Sequence, residues 1–476
     1  MTATTPVSAT AAGSSPAVTR RLGLPQYVGY ASGDAANNLA FSMSSLFLLL
    51  YYTDVAGISA AAVGTMFLVV RFWDAVTDLF AGRLVDRAQT RWGKFRPFIL
   101  FGALPLLLMS VAVFSIPNSL HGHPLALLWA YITYALLGLL YSLVNIPYGS
   151  LAAAMTQVPT ERAKLATWRV FGSNLTILML AFVVAPQIKG SGNLQRSLTL
   201  TTLAFVVVGA ALYLLTFFTA REQVQRDVPQ VSLRQSFATL KTNRPLIMLC
   251  GSSLLFLTGM IAVSTVGAFY ARDVLGNANL FIWMTLVQTV GTFAIALFVP
   301  TIVRTLGKKR GYLVLGLVGI VAGIGIMFAP PSVPAVALFF FFVLGIGVGG
   351  VNTLMWAMEA DTVEYGEWKT GVRTEGITYA LFSFTRKMGQ ALGGSAAAFT
   401  IGLGGYIAGK GVVQPESAKM AIKVAAGLLP AGFIVLALAI MLVYPLTERV
   451  FRDVVAEVAA RRAQRIAESF EGGRDV

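Results

Sequence analysis

One cysteine, Cys250, and two histidines, His121 and His123, are all that 476 residues offer of the side chains that most often hold transition metals. A lone thiol in an apolar run can neither close a disulfide nor build a thiolate metal site. The two histidines fall together in "HGHP", where a solvated outer loop is a simpler account than a metal contact. No Gly-x-Ser-x-Gly elbow, phosphate-binding loop or His/Cys cluster occurs, so a membrane-embedded enzyme, one rival reading, lacks its usual residues. Charge is scarce as well, at 12% of the chain against 56% hydrophobic residues. With a mean hydropathy of +0.72, the apolar content is too high for a water-soluble core of this length, and the chain reads as an integral membrane protein.

What is present is a succession of apolar runs. A helix needs about 20 apolar residues to cross the hydrocarbon, and roughly twelve such runs lie between Leu24 and Leu446, separated by Gly, Pro and clustered charge. The fold class expected is therefore an all-α membrane protein of twelve transmembrane helices in two six-helix bundles. Its expected divisions are a disordered cytoplasmic tail (1–22), an N-terminal bundle (23–220), a cytoplasmic linker (221–244), a C-terminal bundle (245–447) and a cytoplasmic C-terminal tail (448–476). The first 19 residues, rich in Thr, Ala, Ser and Pro, lack a basic n-region and an apolar h-region, so they read as a tail rather than a cleaved signal.

The 36 Lys and Arg orient the chain. With both termini inside, 27 fall in cytoplasmic segments, 6 in outer loops, and Arg71, Arg386 and Lys387 within spans. That bias predicts a multi-pass protein of the cell inner membrane with both termini cytoplasmic. The net charge of +15 is then explained by loops facing anionic lipid, and nucleic acid is not an expected partner. The bilayer is, and a monomer is the expected functional unit.

The two halves echo each other. "LGLLYSLVNIPYGSLAAAM" from Leu137 lies over "LGIGVGGVNTLMWAMEADT" from Leu344, matching Gly138 to Gly345, Val144 to Val351 and Asn145 to Asn352 at a constant offset of 207 residues. A shorter echo pairs "RWGKFRP" with "LGKKRGY". Together they favour two homologous bundles around a central cavity, a transporter's architecture with substrate bound near the midplane.

The polar residues inside the spans suggest what is carried. Asp74 and Asp78 sit one helical turn apart, on one face, with Cβ atoms about 6 Å apart. Ionised carboxylates facing lipid cost at least about 2.5 kcal/mol each, so both must face the interior. Two acids on one face suit a hard monovalent cation such as Na⁺, with the Thr77 hydroxyl between them as a further ligand, and like-charge repulsion lets H⁺ substitute. The alternative is a structural ion pair with Arg71, one turn earlier, although one arginine cannot neutralise two acids. Asp34 and Asn38 share a face of the first span, and Tyr141, Ser142 and Asn145 cluster on the fourth. Such groups give a polyhydroxylated ligand its hydrogen bonds, or else join packed helices to one another. Trp73, Tyr148 and Trp356 are either sugar-stacking rings or core. Lys387, deep in span eleven, must pair with a carboxylate or a ligand, Asp74 and Asp78 being expected within reach, unless it snorkels to the inner surface.

"YYTDVAGIS", "FWDAVTD", "RWGKFRPFIL", "NIPYGSL" and "EADTVEYGEWKTGVRTEGITYA" resemble the glycoside–pentoside–hexuronide:cation symporters of the major facilitator superfamily, whose best-known member is the melibiose permease. The similarity runs from about Leu24 to Leu446. The resemblance implies a cation site at Asp74, Asp78 and Thr77 with Ser142 nearby, and sugar or coupling roles for Asn38, Asn145, Arg169 and Lys387. Asn38 and Asn145 stand where that permease has aspartates, and Gly149 and Asn352 where it has tryptophans, so its galactoside specificity does not transfer. Asp34, Tyr141 and Asn352 complete the expected substrate site. Asp361, Glu364 and Glu367, in what reads as the tenth inner loop, face Arg162, Arg169, Arg87 and Lys94 of the other half as the inner-gate ion pairs that form when the transporter opens outward, or are solvated loop charges. No cofactor is expected beyond a coupling ion, Na⁺, Li⁺ or H⁺. The expected partners are that ion and a sugar or glycoside, with each raising the other's affinity. A lysolipid carrier on the same fold is the remaining rival.

Overall fold

A backbone in hydrocarbon must satisfy its own polar groups, and each apolar run here does so as a helix. The computed structural model describes residues 22–471 except 89, 157–158, 191, 223–241, 372–374 and 410–411. Among the described residues there are helices and no strand. The first half contains α1 (Leu24–Leu50), α2 (Ala60–Arg87), α3 (Arg96–Val113), α4 (Pro124–Met155), α5 (Pro159–Gly190) and α6 (Leu194–Thr219). The second begins with α7 (Arg244–Phe269). It continues in Leu280–Phe328, which breaks at Gly307 (φ 77°, ψ 165°) into α8 (280–306) and α9 (308–328). Then follow α10 (Pro334–Thr370), α11 (Glu375–Leu403), α12 (Glu416–Ala426) and α13 (Leu428–Leu442), the last two forming one span broken at Gly427, and α14 (Glu448–Glu471).

Nine described helical segments are long and apolar enough to cross a membrane. One of them is the α8–α9 pair, and α1 and α11 complete the twelve spans. Those two fall short on composition because they carry the polar residues of the interior. The expected tail and linker fall almost wholly on residues outside those described.

Several helices run beyond their apolar stretches. The fifth span starts at Pro159 and the tenth runs to Thr370, because polar ends prolong a helix past the hydrocarbon where hydropathy no longer registers it. Asp361, Glu364 and Glu367 therefore stand on α10 rather than in a loop. The stretch after 448 is not a featureless tail: α14 lies against α10, where the Trp368 indole donates to Glu457 (2.7 Å) and Arg461 donates to the Trp368 carbonyl (2.9 Å).

The repeat is structural. A Cβ on Gly138 of α4 would stand 2.1 Å from Asp74 Oδ1 on α2, and a Cβ on Gly345 of α10 would stand 2.1 Å from the Gln288 carbonyl on α8. The paired glycines thus let equivalent helices approach closely. The basic loops repeat too. Gly93 (φ 107°) and Gly307 (φ 77°) adopt left-handed backbone that favours glycine, and an acid braces each turn. Glu222 accepts from the N–H groups of Lys94 (2.9 Å), Phe95 (2.8 Å) and Arg96 (3.1 Å), and Glu448 accepts from that of Lys308 (2.9 Å). "HGHP" is also local: His123 Nδ1 accepts from the Leu125 N–H at the start of α4 (3.3 Å), and His121 Nε2 lies 3.3 Å from the Ile116 carbonyl.

Candidate functional site

Arg71, Asp74 and Asp78 project from one face of α2 at helical spacing. Arg71 donates to Asp74 Oδ2 (3.1 Å) and to the Tyr134 hydroxyl of α4 (3.1 Å). Asp74 Oδ1 is buried against Gly138 and has no hydrogen-bond partner among the described residues. One turn on, Asp78 Oδ1 accepts from the Ser142 hydroxyl of α4 (2.6 Å), and Oδ2 accepts from the Lys387 ammonium of α11 (2.6 Å). This last pair joins the two halves. The structure thus places Lys387 on Asp78 rather than at the inner surface, with 38% of its side chain exposed. Thr77, expected between the acids, donates to the Asp74 backbone carbonyl (3.0 Å), which leaves its oxygen lone pairs available. A hydroxyl mid-helix commonly satisfies itself in this way.

A second cluster joins α1 to α5. Arg169 donates to Asp34 Oδ1 (2.7 Å), Asn38 donates to Asp34 Oδ2 (3.2 Å), and Ser42 donates to Asn38 Oδ1 (2.7 Å). The Arg169 guanidinium lies over the Tyr148 ring (5.3 Å), which stacks on Tyr30 (4.8 Å) and donates to the Tyr30 carbonyl (2.7 Å). Tyr148 is fully buried, so it is core rather than a sugar platform. Trp73 donates its N–H to the Ala135 carbonyl (3.0 Å). Tyr141 stacks on Phe41 (5.4 Å). Asn145 is half-buried, and among the described residues its amide has no hydrogen bond, leaving both its donors and its acceptor for a ligand.

A third cluster belongs to the second half alone. Arg386, beside Lys387 in sequence, donates to Asn352 Oδ1 (2.8 Å) and toward Met355 Sδ (3.6 Å), with the rings of Trp356 (4.9 Å) and Phe382 (5.6 Å) against its guanidinium.

Among the described residues, two members of the expected inner gate are paired within their own halves. Asp361 pairs with Lys308 of its own half (2.6 Å) and Arg169 with Asp34 of its own half. Glu364 lies one turn beyond Asp361 on α10, and the side chain of Arg162 falls outside the described residues. The halves close at the opposite end, away from both termini. There Arg272 pairs with Asp54, and the Tyr406 hydroxyl donates to Asp54 (2.8 Å) and accepts from Arg272 (2.7 Å). Asp273 also pairs with Arg272 (2.7 Å). With those ends joined, the cytoplasmic-type pairs expected of the other conformation have no reason to form.

Sequence reasoning missed this clasp, although a signal was present. Tyr51–Gly57 and Tyr270–Gly276 both read Tyr-x-x-Asp-Val-x-Gly. Both form a π-helical turn at the end of their span, and both end on a glycine with φ near 72°. Each tyrosine hydroxyl ties its turn to the next hairpin: Tyr51 accepts from Ile116 N–H (2.8 Å), and Tyr270 donates to the Ile326 carbonyl (2.9 Å).

With this geometry in place, the comparisons with known proteins converge. The family described as MFS/sugar transport protein matches residues 29–448. A protein of Escherichia coli (strain K12) named "Glucuronide carrier protein homolog" is 49% identical over 438 residues, covering 91% of this chain and 95% of that one. The "Isoprimeverose transporter" of Lactiplantibacillus pentosus is 33% identical over 386 residues, covering 80% of each. Among solved structures, a bacterial homolog of the human lysosomal transporter Spinster superposes with a TM-score of 0.64 at 14% identity, covering 90% of this chain and 97% of that one. That likeness bears on the fold alone.

Proposed function

The chain belongs to the MFS/sugar transport protein family, and from that premise we propose that it couples inward movement of a monovalent cation to uptake of a glycoside, pentoside or hexuronide by alternating access. Membership makes it a multi-pass membrane transporter and not an enzyme. Its place is the inner membrane of a bacterial cell, with both termini cytoplasmic. The relative named for glucuronide carriage favours a hexuronide over a neutral sugar.

The observation that carries cation coupling is the state of the α2 acids. Asp78 is bridged to Lys387 across the seam, while Asp74 Oδ1 beside it is buried without a hydrogen-bond partner among the described residues. A buried carboxylate oxygen left unpaired favours a proton or a metal cation. Na⁺, Li⁺ or H⁺ at Asp74 and Asp78, with Ser142 in reach, displaces the Lys387 ammonium and thereby loosens the contact between halves. The sugar then spans Asn145 and the Arg169–Asp34–Asn38 cluster on one side and the third cluster on the other. Each ligand raises the other's affinity because both favour the same arrangement of the halves. Return to the outward-open form requires the Asp54–Arg272 clasp to part.

Energetics separate the substrate classes. One charge crossing 100 mV is worth about 2.3 kcal/mol, and a tenfold ion gradient about 1.4 kcal/mol. A neutral glycoside moving with one cation draws on both. A monoanionic uronide moving with one cation carries no net charge and draws on the ion gradient alone.

Counterflow in proteoliposomes tests the reading. External labelled phenyl β-D-glucuronide should overshoot equilibrium when the lumen holds unlabelled glycoside. Overshoot with labelled lysophosphatidylethanolamine and none with any glycoside would replace this reading with the lysolipid one.

A further inference from the structure

We infer that Arg386 is the receptor for the carboxylate of an anionic sugar, with Asn352, Trp356 and Phe382 as the frame that aims it. This rests on the reading of the chain as a glycoside transporter and adds to it the residue that selects charge. Arginine cannot shed its proton inside a protein, so an arginine within the bundle needs a negative partner. The other cations of the central site have one: Arg71 has Asp74, Arg169 has Asp34, and Lys387 has Asp78. Arg386 has none among the described residues. Its contacts are an amide oxygen, a thioether sulfur and two ring faces. Glu359, one turn beyond Met355 on α10, is buried and has interactions of its own.

The frame suits the task. Aromatic rings beside a guanidinium restrain it without accepting strong hydrogen bonds from its N–H groups, and the N–H groups left over can meet a carboxylate through two parallel N–H···O bonds. Asn352 Oδ1 takes one N–H and so fixes the rotation of the fork. Arg386 is only partly buried, as are Trp356 and Asn352, and its sequence neighbour Lys387 is the residue that reaches the cation site. A hexuronide whose ring hydroxyls meet Asn145 and the Arg169 cluster would present its C6 carboxylate to the second half. The bound anion would then balance the charge of Arg386, which has no acidic partner among the described residues.

Two glycosides that differ only at C6, p-nitrophenyl β-D-glucuronide and p-nitrophenyl β-D-glucoside, provide the test. Binding to the purified full-length protein is measured by calorimetry and by thermal shift. Wild type should bind the glucuronide about tenfold or more tighter than the glucoside, and Arg386→Gln should bring the ratio close to one. Asn352→Asp supplies an internal carboxylate that satisfies Arg386, so it should fold and also abolish the preference. A preference for the glucuronide that survives both variants, or equal loss of both ligands in both variants, overturns the inference. Wild-type protein that binds the glucoside at least as tightly overturns the inference and leaves the sugar reading standing. Wild-type protein that binds neither overturns both.

Discussion

In the N-terminal half, Arg71 and Arg169 each find a carboxylate within that half; in the C-terminal half, Lys387 reaches across the seam for its acid and Arg386 has none among the described residues. The halves share their helix order, their close glycine approaches and their braced loops. They differ in charge at the centre. A duplicated scaffold whose two copies carry surplus acid and surplus base is held together at the seam by that difference. A cation on the acidic side and an anion on the basic side both weaken the attraction. The lesson is that the coupling resides in what the repeat does not repeat.

Removing the shared acid should break the comparison most severely. Asp78→Asn strips Lys387 of its partner, and gradient-driven glycoside accumulation should fall to the equilibrium level, a loss of about tenfold for a tenfold ion gradient, while counterflow persists. Uptake and counterflow in the same proteoliposomes check this. Adding Lys387→Gln removes the stranded cation as well and should restore expression lost in the single variant. Accumulation that survives Asp78→Asn would mean the acid does not carry the coupling.

Next in size is the clasp between the two π-turns. Arg272→Gln leaves the Asp54 side chain, 2% exposed, without its cation, at a cost of about 3 kcal/mol for a buried pair broken on one side. The population should move toward a form open at that end. Spin labels on Asn118→Cys and Asn279→Cys, in a Cys250→Ser background, should then report a longer distance as the main component. An unchanged distance distribution would show that other contacts hold the end closed.

The equivalent glycines give a smaller, graded comparison. Overpacking typically costs about 1–3 kcal/mol. Gly345→Ala meets the Gln288 backbone and should lower the melting temperature more than Gly138→Ala, whose new methyl meets the Asp74 side chain, which can swing away. Gly138→Ala should instead weaken apparent cation affinity. Equal melting temperatures and equal cation affinities would undo the distinction. The smallest effect belongs to Trp368→Ala: its contacts with α14 are exposed, so stability should fall by no more than about 0.5 kcal/mol in a thermal melt and transport should not change.

Much of this was legible from composition and spacing. Twelve apolar runs, the Gly138–Gly345 echo and two acids a turn apart depend on local pattern, and local pattern survives folding. The same holds for Lys387, because an ammonium at that depth has few tolerable surroundings. What was illegible depended on rotamers and on conformational state. The Thr77 hydroxyl turning back on its own helix follows from a side-chain torsion that spacing does not encode. The cross-half partners expected of Asp361 belong to the outward-open form, and in a form closed at the far end Asp361 lies against Lys308 instead. The repeated Tyr-x-x-Asp-Val-x-Gly was in plain view, yet its aspartates lie at span ends, where acids are unremarkable in hydropathy.

Cation coupling across the seam is tested most directly by uptake of labelled phenyl β-D-glucuronide into proteoliposomes under an imposed inward Na⁺ or H⁺ gradient, with and without an ionophore that collapses it. Accumulation above the external concentration with at least one of the two gradients, and its loss when that gradient is collapsed, is the expected result. Uptake that stops at the external concentration under both gradients, or accumulation untouched by their collapse, would contradict it.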